Sequence, residues 1–87
     1  MIRENANKVL KHLYDEYVQG KRFSNLEELE EALSLSFDDT ENAIDYLVDK
    51  GLIFLSFSEV GHHHSERQEH KFKFRVKAEG IDQIENY

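Results

Sequence analysis

Eighty-seven residues make one domain, 1–87. A chain this short buries only about 60–65% of its unfolded surface, which leaves a stability margin of a few kcal/mol. The absence of Cys excludes disulfides and thiolate chemistry. No apolar run approaches the roughly 20 residues of a membrane helix, and the opening Met-Ile-Arg-Glu-Asn-Ala-Asn-Lys is too polar for a signal peptide, so the expectation is a soluble, cytoplasmic protein.

The formal charge of -7 is unevenly spread. Residues 1–22 hold five Lys/Arg against three Asp/Glu, residues 23–57 hold one against nine, and residues 58–77 hold five against three. The middle of the chain is an acidic block between two mildly basic ones, and polyanions are repelled by the block and tolerated by its flanks.

In chain order, Ala6, Val9, Leu10, Leu13, Tyr14 and Tyr17 recur at helical spacing and predict an amphipathic helix over Asn5–Gln19, closed by Gly20. Ser24-Asn25-Leu26-Glu27 has the form of a capping box, with Ser24 as the cap. Leu26, Leu29, Ala32 and Leu33 then carry a short second helix whose other face is Glu27, Glu28, Glu30 and Glu31. After the turn Ser34-Leu35-Ser36, a third helix is expected, with Thr40, Ala43, Ile44, Leu47 and Val48 inward and Asp38, Asn42, Asp45, Tyr46 and Asp49 outward. Gly51 stops it.

Leu52–Phe57 is β-branched, aromatic and apolar on both faces, so it predicts a strand that is central or covered on its second side. Ser58–His70 is polar and contains Gly61, the mark of a long hairpin loop. Lys71 to Lys77 alternates strictly, which predicts a strand with Phe72, Phe74 and Val76 inward and Lys71, Lys73, Arg75 and Lys77 outward. Ala78-Glu79-Gly80 is expected to turn the chain into a short last helix bearing Ile81 and Ile84.

Helix, helix, helix, strand, long loop, strand, helix is an order that resembles the winged-helix superfamily. The resemblance is carried by Ala43-Ile44-Asp45-Tyr46-Leu47-Val48-Asp49-Lys50-Gly51-Leu52-Ile53, similar to the family's A-L-x-x-L-x-x-K-G-L-I. It is also carried by Val76-Lys77-Ala78-Glu79-Gly80-Ile81, similar to L-T-x-x-G with Lys77 in place of Thr. It implies an α+β fold: a three-helix bundle, a two-stranded wing, a short third strand allowed between the first two helices, and a C-terminal helix. It also implies a non-enzymatic, DNA-associated regulator that places its third helix in the major groove.

The positions carried over to that groove are Asp38, Asp39, Asn42, Asp45, Tyr46 and Asp49, mostly carboxylates where base edges and phosphates want Arg, Lys, Asn or Gln. Nucleic-acid contact is therefore assigned chiefly to the wing, through Arg67, Lys71, Lys73, Arg75 and Lys77, with Lys21, Arg22, Asn42 and Tyr46 as further candidates. Outward lysines on a strand equally serve as edge protection. The alternative is a protein-interaction module that docks a basic partner on Asp38, Asp39, Asp45, Asp49 and Tyr46, and a homodimer is a further possibility. His62, His64 and His70 are weak metal candidates, at a spacing that matches no established zinc site, and their protonation near pH 6 is the simpler role. No cofactor is expected. Enzymatic chemistry has no support in the sequence. It has four glycines and no phosphate-binding loop, and the acidic pairs Glu27/Glu28 and Glu30/Glu31 lie side by side on a helix surface.

Overall fold

The computed structural model describes residues 1–57 and 72–85. Over these the chain is an α+β fold of four helices and a three-stranded antiparallel sheet. The order is α1 (Ile2–Val18), β1 (Ser24–Asn25), α2 (Leu26–Leu33), α3 (Phe37–Asp49), β2 (Ile53–Phe57), β3 (Phe72–Val76) and α4 (Ala78–Glu85).

α1 sends Ala6, Val9, Leu10 and Leu13 into the core, the stripe its periodicity predicts, and packs most extensively against α3. α3 answers with Thr40, Ala43, Ile44 and Leu47. Thr40 keeps its buried hydroxyl satisfied by donating to the Ser36 carbonyl at 2.8 Å. Ser36 also caps α3, its side chain accepting from the Asp39 amide at 3.0 Å. Gly51 follows at φ 74, a left-handed turn that redirects the chain into β2 at no steric cost.

The capping box of α2 is shifted by one residue from the expected register. Asn25, not Ser24, is the cap: its side chain accepts from the Glu28 amide at 2.9 Å, and the Glu28 carboxylate accepts from the Asn25 amide at 3.0 Å. Ser24 is recruited elsewhere because the short strand β1 runs beside β3, with Ser24 opposite Phe74. That pairing buries Ser24, and its hydroxyl donates to the Glu16 carboxylate.

The sheet order is β1-β3-β2, so β3 is central and β2 lies at one edge. Leu52, Ile53, Phe74 and Val76 complete the core. Two inward assignments need correction. Phe72 shares the face of Phe74 and Val76 but is 46% exposed, and Val48 is 37% exposed. Both line the space between α3 and the sheet and stay partly open to solvent, so the alternation sets their side and not their burial. α4 begins at Ala78, so the expected turn Ala78-Glu79-Gly80 is its first turn. Ile81 and Ile84 pack on the core, and the Tyr14 hydroxyl donates to Glu85 at 2.7 Å.

Candidate functional site

The third helix is where sequence and packing diverge most. Phe37, Glu41, Ile44, Asp45, Val48 and Asp49 recur at intervals of three and four, and so share one stripe of α3. Across from that stripe stand Leu55, Phe72 and Phe74 of the sheet, with Leu26 at the start of α2 closing one end. Together these residues line a groove of about 340 Å³. Its floor is Ile44 and Phe74, both members of the core. Its walls include Phe37 (51% exposed), Leu55 (42%), Phe72 and Val48. Exposed apolar side chains scattered singly are ordinary, but a contiguous set facing one concavity marks a binding surface.

Glu41, Asp45 and Asp49 rim the groove, four residues apart on one helix face. Like charges at that spacing destabilise a helix by about 0.2–0.5 kcal/mol per pair. Among the described residues none of the three has an ion-pair partner. The Lys50 ammonium, the nearest cation in sequence, sits over the Tyr46 ring at 5.8 Å.

The remaining expected site residues fall into separate groups. Asp38 and Asp39 are exposed in the first turn of α3, where the helix dipole favours them, and they do not line the groove. Asn42 is exposed; Tyr46 is half-buried and packed against the core. None of the described cations among the expected site residues lines the groove. Lys73 and Arg75 occupy the sheet face opposite the core, next to Ser56 and Phe54 respectively. The Arg75 guanidinium is stacked 4.9 Å from the Phe54 ring centre and 6.0 Å from that of Phe23, and donates to the Val76 carbonyl. Lys77 is half-buried, just beyond the end of β3.

Lys21 bonds Glu28 at 3.2 Å and approaches Glu16 at 3.7 Å, and Arg22 stacks on Tyr17 at 4.7 Å. His12 joins the same cluster, 3.1 Å from Glu16. Burial pushes the Glu28 carboxyl up in pKa, but the Asn25 amide, the bond and charge of Lys21 and the charge of Lys73 outweigh it and hold the group below the ordinary glutamate value. Arg67, Lys71, His62, His64 and His70 lie outside the described residues. Among the described residues no cluster of His, Cys, Asp and Glu has the form of a metal site.

Sequence reasoning did not join Glu41, Phe37, Phe72 and Val48 to Asp45 and Asp49, and it considered Leu55 only as an alternative to Phe54 in a dimer seam. The 37-41-45-49 spacing was the available signal, and a switch from apolar to acidic along it is what marks a groove rim. Comparison with known proteins finds no matching family model, no matching curated protein and no matching solved structure.

Proposed function

We propose that this chain is a non-enzymatic binding module of winged-helix type, whose groove between α3 and the wing strands takes a basic, apolar-faced segment of a partner protein. The element order, the sheet order β1-β3-β2 and the Gly51 entry into the hairpin support the winged-helix reading. The observation that carries the function is the row Glu41, Asp45 and Asp49 beside an open apolar wall. Apolar contact supplies most of the affinity, and the carboxylates select for Lys and Arg and against acidic competitors.

A second copy of this chain fits the groove poorly. A two-fold contact there sets each copy's carboxylates against the other's, at a net charge of -7 apiece. Double-stranded DNA, the partner that the family resemblance implies first, is supported less. The exposed stripe of α3 repels phosphate, Lys21 and Arg75 are engaged within the molecule, and among the described wing cations Lys73 and Lys77 by themselves engage few phosphates, Arg67 and Lys71 lying outside the described residues.

Two peptides of equal hydropathy, one basic and one acidic, titrated into isotope-labelled protein test the reading. The basic peptide shifts the methyl signals of Val48, Leu55 and Ile44, the acidic one does not, and Asp45→Lys with Asp49→Lys removes the response. Equal binding of both peptides, or none at millimolar concentration, overturns it. A duplex-DNA gel shift at about 50 mM salt that Lys73→Glu with Arg75→Glu abolishes would reinstate DNA as the partner.

A further inference from the structure

The backbone of β2 adds something the groove alone does not. Leu52 and Lys77 stand opposite each other one step beyond the pair Ile53 and Val76, and the Lys77 amide donates to the Leu52 carbonyl at 3.0 Å. In an antiparallel ladder, pairs that exchange hydrogen bonds alternate with pairs that exchange none. The bonded pairs that follow are Phe54 with Arg75 and Ser56 with Lys73. Ile53 and Leu55 therefore turn their amides and carbonyls away from β3, toward the outer edge of the sheet. Among the described residues no strand lies beyond that edge.

Edge strands are normally shielded by brevity, by a proline or bulge, or by charged side chains. The opposite edge, β1, is two residues long. β2 runs for five residues, Ile-Phe-Leu-Ser-Phe, with no charge, proline or glycine. Leu55 joins this edge to the groove: its amide and carbonyl face outward, while its side chain lies on the core side of the sheet and lines the groove with Val48 and Asp49.

We propose that the outer edge of β2 is a strand-addition site, and that the partner segment binds as a fourth strand. The inference rests on the groove reading and specifies how the segment lies. Side chains two apart on an extended segment share a face. The residue beside Leu55 is apolar and extends the groove wall, and a Lys or Arg two positions along the same face reaches Asp45 and Asp49. The partner motif is therefore an apolar residue, any residue, then a cation, or the reverse, in an extended segment. A second copy of β2 does not satisfy it, since the strand Ile-Phe-Leu-Ser-Phe carries no charge.

The test uses the full chain, isotope-labelled, and the synthetic peptide Thr-Leu-Thr-Arg-Thr-Leu-Thr blocked at both ends. Amide hydrogen exchange is followed with and without saturating peptide. Strand addition slows exchange at Ile53 and Leu55 by about tenfold or more. It leaves Phe54 and Ser56, already bonded to β3, unchanged. A peptide N-methylated at alternate positions, in the phase that removes the edge bonds, loses this protection; N-methylation in the other phase keeps it. If the peptide shifts the Val48 and Leu55 methyls without protecting either amide, strand addition is wrong and the groove reading stands. If nothing shifts, both fail. If Ile53 and Leu55 are already protected without peptide and the protein sediments as a dimer, the edge belongs to a second copy and the proposal is overturned.

Discussion

Gly80, in the first turn of α4, lies directly against the Leu52 carbonyl. A Cβ at position 80 would collide with that oxygen and come within 2.8 Å of Val76 Cγ2 and 3.1 Å of Leu10 Cδ1. The contact locks α4 onto the entrance of β2, where the same carbonyl accepts from the Lys77 amide.

Gly80→Ala therefore runs against helix propensity. In an open helix the change gains about 0.5–1 kcal/mol. Here it overpacks a buried junction and costs about 1–3 kcal/mol. Thermal unfolding reads this as a drop in Tm of several degrees, and an unchanged or raised Tm would show that the junction yields.

Ser34 ends α2 at φ 55 and ψ 43, a left-handed conformation that costs a non-glycine residue about 1–2 kcal/mol. Beyond it the Leu35 amide donates to the Glu30 carbonyl at 3.2 Å, closing the helix. Ser34→Gly should raise stability by about 1 kcal/mol and Ser34→Val should lower it. Denaturant midpoints at constant slope check both.

Acid should weaken the start of α2. Because Glu28 has a lowered pKa in the folded chain, its contribution is complete above the unfolded value and is lost as pH falls through the folded one. The side chain is 45% exposed, so solvent screens the effect to under about 1 kcal/mol. The stability difference between the parent chain and Glu28→Gln should hold from pH 7 to about 5 and shrink below about 4.3. A difference constant down to pH 2 would remove the Asn25 amide and Lys21 as its cause.

The groove acids should trade stability for binding. Asp45→Asn relieves like-charge contacts with both Glu41 and Asp49, so the variant should unfold at equal or slightly higher denaturant, by about 0.2–0.5 kcal/mol. It should bind the basic peptide several-fold more weakly, with a shallower dependence on salt. Loss of stability together with binding would make Asp45 a structural residue.

The helices were legible in the sequence because their apolar spacing and caps are local. Val9, Leu13, Ala43 and Leu47 fall inside for the reason their periodicity states. The strand 72–76 was legible by alternation, and the third strand only as an option. β1 has two residues and exists because β3 lies beside it, a long-range pairing that no local pattern contains. The same pairing buries Ser24 and moves the α2 cap to Asn25. Alternation assigned Phe72 its side and not its burial, since burial depends on what another element places above it.

The sequence alone determined which residues are apolar, that four helices form and which apolar stripe each carries, and that the exposed face of α3 is acidic. These follow from local periodicity and charge. Only the tertiary structure decided that Glu41, Asp45 and Asp49 rim an apolar groove, that Arg75 lies on the opposite face between two aromatic rings, and that β2, an edge strand among the described residues, borders the groove wall at Leu55. The physical reason is that a groove is a gap between α2, α3 and the sheet, elements distant in the chain, so no local pattern contains it.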